Sequence, residues 1–148
     1  MSFSERGGNG FLRATINTPE PRASEWEISM ILFQSPLKKS DLVLIEKKFK
    51  ITTKQAASIA GVSVRAYQQW KPGTRLSLHA TEHLLKIIEV YNSGMRTFDG
   101  SDRSFTAWIK SPINALGEKV PVSLMTSSKE DAELVNSELI RMEYGILS

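Results

Sequence analysis

Apolar positions recur along this chain with the three-to-four-residue period of helices. Over 41–48 they are Leu42, Leu44 and Ile45, followed by Phe49, with Ser40 as the candidate cap and Lys47 and Lys48 facing water. Thr52, Thr53, Lys54 and Gln55 have capping-box spacing: the Thr52 hydroxyl accepts from the Gln55 amide and Gln55 reaches back. The spacing predicts a helix from there to about Ala60, a tight reversal at Gly61 and a third helix over 64–71, capped by Ser63 and stopped by Pro72 and Gly73. Ser77 opens a longer helix to about Asn92, with Leu84, Leu85, Ile87, Ile88 and Tyr91 on its buried side and Gly94 at its end.

Beyond a polar turn at Gly100, Ser101 and Asp102, residues 104–109 read as helix, with Phe105, Trp108 and Ile109 as an apolar ridge. Pro112, Gly117 and Pro121 punctuate the next stretch. Asn114 is a candidate cap for the next turn, Leu116 is expected to be buried, and Pro121 suits the first turn of a helix carrying Val122, Leu124 and Met125. The last helix covers 132–142, with Leu134, Val135, Leu139 and Met142 at helical spacing. Residues 1–23, rich in Gly, Ser, Asn, Thr, Pro and Arg without period, read as a mobile tail. Residues 24–33 form a short apolar element, helix or strand, that Pro36 ends. The fold class is therefore all-α, in three segments: a variable, partly flexible N-terminal stretch at 1–35, a helix-turn-helix unit at 36–97, and a small helical module at 98–148. The joint is expected near 94–101.

Charge divides the chain. Residues 38–76 carry nine basic groups against Asp41 and Glu46, whereas 98–148 carry five basic and eight acidic ones. Two surfaces with different partners are the natural reading, and a basic stretch fits nucleic acid. Glu118, Glu130, Asp131, Glu133, Glu138 and Glu143 should give the C-terminal module an acidic exterior. With no Cys there is neither a disulfide framework nor a thiolate metal site. No signal pattern and no membrane-length apolar run is present, so a cytoplasmic location is expected, with no membrane partner.

The stretch 54–70 carries the strongest local pattern. Ala57 is small where two helices must approach, Gly61 follows four residues later, Val62 packs under the turn, and Ile59, Tyr67 and Trp70 face inward. This is helix-turn-helix spacing. On the protruding helix Ser63, Val64, Arg65, Gln68 and Gln69 face out. Arg can bond the O6/N7 edge of guanine twice, and Gln can pair with adenine. Lys54 and Lys71 flank that helix and suit phosphates, which position a protein without reading sequence. The ordinary alternative is a helical hairpin with idle polar residues.

His79, Glu82 and His83 match H-x-x-E-H, a zinc-peptidase pattern read in reverse. A working site needs a third ligand and a cleft, and neither is evident in the sequence. Two surface or interface histidines are the simpler reading, and a metalloenzyme is the remote one. With two His in all, no Ser-His-Asp set can be drawn, and there is no Gly-rich phosphate loop. No catalytic residue, metal site or cofactor is assigned.

The last third carries a more specific combination. Trp108, Ile109, Pro112, Ala115, Leu116 and Gly117 are followed by Pro121, Val122, Leu124, Met125 and Thr126. Leu139, Arg141, Met142, Tyr144 and Gly145 close it. With the upstream reader and the Leu84-Leu85 ridge, this pattern resembles the Xre/MbcA/ParS antitoxins over residues 40–148. The family usually has a Gly pair where this chain has Gly117 and Glu118, and a Thr with an Arg/Lys pair in the reading helix where this chain has Ala66, Gln68 and Gln69. The resemblance implies a non-enzymatic type II antitoxin whose partner is a RES-domain toxin that degrades NAD⁺. The C-terminal module would block the toxin's active site, and the helix-turn-helix would repress the shared operon on double-stranded operator DNA. A homodimer within a larger complex would carry the two reading helices. Expected toxin contacts are Trp108, Asn114, Leu116, Gly117, Glu118, Arg141, Tyr144, Gly145 and Ile146. The alternative is a stand-alone transcriptional or partition regulator without a toxin.

Overall fold

In a computed structural model of the chain, residues 37–145 are described. The expected N-terminal segment at 1–35, its apolar element at 24–33, and Ile146 lie outside them. The described residues form seven α-helices and one short 3-10 turn, with no strand among them. These are α1 (Lys39–Phe49), α2 (Thr53–Ala60), α3 (Val64–Gln69), α4 (Leu78–Thr97), α5 (Asp102–Ile109), the turn Asn114–Leu116, α6 (Pro121–Ser127) and α7 (Lys129–Glu143). None is long and apolar enough to cross a membrane.

The helix starts are mostly those that capping chemistry dictates. Thr52 Oγ1 accepts from the Gln55 amide at 3.0 Å, and Gln55 Oε1 accepts from the Thr52 amide at 2.9 Å. Ser63, Ser77, Ser101 and Ser128 each accept an amide three residues on. Each cap satisfies a donor that a helix end leaves orphaned. The first helix departs from expectation. It is capped at Lys38, whose amide donates to the Asp41 carboxylate at 2.8 Å, so it starts ahead of Ser40. The chain returns to this point after α3: the Leu76 amide donates to the Leu37 carbonyl and the Lys39 amide to the Thr74 carbonyl, both at 2.8 Å.

Gly94 does not end its helix. It lies inside α4, buried, where the Phe105 ring from α5 presses on the backbone. A Cβ there would overlap the edge of that ring at Cε1 and Cδ1, so only glycine lets the two helices meet. Phe105 in turn packs edge-on against Phe49 and Tyr91, with centroids 5.8 and 6.0 Å away, which ties α1, α4 and α5 together. One continuous hydrophobic core runs from Leu37 to Leu139.

The closing helix α7 packs along α4. Lys129 pairs with Glu82 and Lys86 with Glu133, both at 3.6 Å, and the Thr97 hydroxyl donates to the Leu139 carbonyl at 2.8 Å. These pairings ascend in both helices, so α4 and α7 run in the same direction. Ala132, Val135 and Leu139 are buried, but Leu134, placed on the apolar stripe by its spacing, is 55% exposed. The stripe is narrower than the sequence pattern suggests, because α4 and α6 cover only one side of α7.

Candidate functional site

The helix-turn-helix comes first among the described residues. α2 ends at Gly61, which takes φ 76°, the left-handed backbone that a tight helix–helix reversal requires. α3 has six residues, too short to persist alone. Its position is fixed by Tyr67, the one buried side chain in it, whose hydroxyl donates to Glu46 of α1 at 3.0 Å. Burial, reinforced by the negative charge of Glu46, pushes the Tyr67 phenol far above its ordinary pKa, so it remains a donor. Lys39 adds a second strut, with its ammonium 4.8 Å from the Tyr67 ring centroid and donating to the Trp70 carbonyl at 2.8 Å.

On the opposite face Ser63, Arg65, Gln68 and Gln69 are exposed, as are Lys54 on α2 and Lys71 beyond α3. Val64 differs from expectation: it is half-buried against the core and serves packing more than contact. The helix itself stops at Gln69, leaving Lys71 on the following turn. Trp70 is half-buried and meets Tyr67 edge-on at 6.2 Å. The outer face of α3 thus offers guanidinium and carboxamide groups, with ammonium groups at its margins, on a rigid base.

The C-terminal residues expected to meet a protein partner fall into two groups. Trp108, half-buried, tilts against Phe98 at 6.2 Å. Asn114 caps nothing through its side chain; Ile113 precedes the 3-10 turn and Asn114 is exposed within it. Leu116 is half-buried, against the expectation of full burial, because the turn sits at the rim, where α7 covers one side of it. Gly117 and Glu118 both take positive φ, 71° and 64°. The turn is closed by the Glu118 amide donating to the Ile113 carbonyl at 2.9 Å and the Ile113 amide donating to the Lys119 carbonyl at 3.1 Å. Two successive left-handed residues are what a Gly pair would accommodate without strain, and here Glu118 bears that strain.

The second group is on α7. Arg141 donates to Glu138 from Nε at 3.0 Å and from Nη2 at 2.6 Å, a two-point pair that draws Glu138 back toward the helix and leaves it half-buried. Glu143 is likewise half-buried, receiving Arg96 Nε at 3.3 Å, and Asp131 accepts from the Ser127 hydroxyl at 3.0 Å. The acidic exterior is therefore narrower than expected: Glu118, Glu130 and Glu133 are its exposed members. Tyr144 stands 72% exposed at the end of α7, followed by Gly145.

Several contacts could not be seen in linear spacing. His83 is buried and its Nε2–H donates to the Met125 carbonyl of α6 at 2.8 Å, while His79 is exposed. Burial lowers the His83 pKa, against the opposing effect of that hydrogen bond. The two histidines four residues apart thus look to different environments. No group of metal-ligating side chains occurs among the described residues. Lys48, expected to face water, instead bonds Asp102 of α5 at 2.9 Å and lies 5.1 Å from the Tyr91 ring centroid.

Residues 93–145 match the family model of the antitoxin Xre/MbcA/ParS C-terminal toxin-binding domain. A curated relative, Antitoxin Xre of Photorhabdus laumondii, is 25% identical over 91 residues, covering 61% of this chain and 61% of its own. The chain thus spans about three fifths of the curated relative it matches. A chain of the crystal structure of the M. tuberculosis MbcT–MbcA toxin–antitoxin complex shares the fold, with TM-score 0.50 and 16% identity over 74% of this chain and 96% of that one.

Proposed function

We propose that this chain, whose residues 93–145 match the Xre/MbcA/ParS C-terminal toxin-binding domain, is an antitoxin of that family acting in a type II pair. In this reading the C-terminal module binds a RES-domain toxin that degrades NAD⁺ and blocks its active site. The helix-turn-helix represses the operon, and a homodimer within the larger complex presents two reading helices to successive major grooves, about 34 Å apart. The observation that carries the reading is the match of residues 93–145 to a toxin-binding domain. The Gly117–Glu118 turn and the exposed end of α7 at Tyr144 offer the toxin-facing surface, with Trp108, Asn114, Leu116, Arg141 and Gly145 as further contacts; Ile146, the remaining expected contact, lies outside the described residues. Lys54 and Lys71 hold phosphates, while Ser63, Arg65, Gln68 and Gln69 meet base edges, with Val64 beneath them.

The experiment is co-expression of a RES-domain toxin encoded beside this chain, with cellular NAD⁺ as readout. NAD⁺ collapses with the toxin alone and is preserved when the chain is present. Removal of residues 144–148 restores the collapse but leaves operator binding intact. Charge reversal at Lys54 and Arg65 does the opposite. A collapse that the intact chain fails to prevent would refute RES-toxin neutralisation, and loss of both activities in either variant would refute two separable surfaces.

A further inference from the structure

Between the C-terminal end of α1 and the first turns of α5 lies an open cleft of about 640 Å³. Its walls carry Lys47, Lys48 and Lys50 from the α1 side and Asp102, Arg103 and Thr106 from α5. The single carboxylate, Asp102, is bonded to Lys48 at 2.9 Å and so balances that one cation. Lys47, Lys50 and Arg103 are exposed and have no carboxylate within ion-pair distance among the described residues. A fourth cation stands close by: Lys110 donates to the Lys50 carbonyl at 3.0 Å. That contact and the aromatic packing of Phe49 on Phe105 fix the two walls relative to each other. The cleft is therefore a rigid concavity with several positive charges, one hydroxyl and, among the described residues, no further negative group to balance them.

It is also distinct from the reading face. The turn after α3 docks at the N-terminal end of α1, through Lys39 and the Trp70 carbonyl. At 1.5 Å per residue, Lys50 is about 16 Å further along the axis. Its residues belong neither to the outer face of α3 nor to the 3-10 turn and α7 end assigned to the toxin.

We propose that the α1–α5 cleft binds phosphate groups, held by Lys47, Lys50 and Arg103 with the Thr106 hydroxyl as a further donor. Phosphate suits the site because a compact, doubly charged group can be approached by several cations at once, and a guanidinium pairs with two of its oxygens. The volume falls within the range of small-ligand sites, roughly 300–1,000 Å³, and the open mouth also admits a phosphodiester backbone. The proposal is independent of toxin neutralisation.

Inorganic pyrophosphate and a mixed-sequence DNA duplex are titrated separately into the full chain, into Lys47→Ala/Lys50→Ala/Arg103→Ala, and into Lys54→Ala/Arg65→Ala. The cleft variant should melt with the parent protein, since its three side chains make no hydrogen bond among the described residues. Pyrophosphate should bind the parent saturably and the cleft variant about tenfold or more weakly, with the Lys54/Arg65 variant unchanged. This outcome assigns a soluble phosphate ligand. If instead the cleft variant loses duplex affinity, and its salt slope falls by about two to three, the phosphates are those of nucleic acid. Parent-like affinity of the cleft variant for both probes would overturn the proposal. So would a loss of pyrophosphate binding in the Lys54/Arg65 variant equal to that in the cleft variant.

Discussion

Helices α3 and α7 are both amphipathic, yet they use their faces in opposite ways. α3 buries only Tyr67 and is held by borrowed contacts: a serine cap, a hydroxyl on Glu46, and a lysine on the Trp70 carbonyl. Its exposed face contributes little to the fold. α7 is 15 residues long, buries Ala132, Val135 and Leu139, and exchanges hydrogen bonds and ion pairs with α4 along its length. In α3 the outer surface can change without disturbing the fold, whereas α7 braces the module through its buried side and leaves Glu130, Glu133, Leu134 and its C-terminal end exposed. A short helix positioned from outside suits a recognition surface, and a long helix packed along another suits a scaffold.

The strongest test of that contrast is Phe105→Ala. Removing a ring that meets Phe49, Tyr91 and Phe98 and fills the space over Gly94 should cost about 3–5 kcal/mol in denaturant melts. A loss below about 0.5 kcal/mol, the ordinary scale of a surface change, would mean the C-terminal scaffold does not depend on this ring. Gly94→Ala should follow at about 1–3 kcal/mol, because the new methyl has no room. Helix propensity alone favours the alanine by roughly 0.8–1 kcal/mol, so a stabilised variant would refute the close-approach reading.

A smaller effect is expected from pH. His83 is neutral in the fold with its pKa lowered, so the unfolded chain takes up the proton first as pH falls. Stability should be at its full value above the ordinary histidine pKa near 6.5 and decline as pH falls below it toward the lowered folded value. Melts of the parent and His83→Gln between pH 7.5 and 5.5 check this; equal slopes would exclude His83 as the source. Glu118→Gly should stabilise by up to about 1 kcal/mol by relieving the left-handed backbone, less the entropy that glycine adds to the unfolded chain. Least of all, Arg65→Ala/Gln68→Ala/Gln69→Ala should leave stability within about 0.5 kcal/mol while weakening the proposed binding to operator DNA. A large fall in melting temperature would erase the distinction between α3 and α7.

The sequence is most legible where a feature is local. The Thr52–Gln55 capping box, Gly61, the serine caps at Ser63 and Ser77, and Pro121 at a helix start all depend on residues within four positions, and all stand as expected. Expectation fails where a distant partner decides. Gly94 has the look of a helix end because its packing partner, Phe105, is not visible in the local pattern. Leu134 fits an apolar stripe that only the actual neighbours of α7 could narrow. His83 fits a metal motif until Met125, 42 residues away, accepts its N–H. The outer face of α3 is largely readable because exposed polar residues on a short helix need no partner to be exposed. The basic cleft is not, since its cations come from segments more than 50 residues apart.

Helix α4 spans 20 residues without interruption, about 30 Å at 1.5 Å per residue. It starts just after the helix-turn-helix, and near its other end Arg96 reaches Glu143 beside the exposed Tyr144. Along the way His83 fastens it to α6, which α2 of the helix-turn-helix also touches. Such a shaft has no joint at which a bound cargo could swing. Under the proposed function, a toxin seated at the far end would ride at a set angle around the operator, so inserting half a helical turn of DNA between two binding sites should rotate one cargo to the opposite side of the duplex from the other.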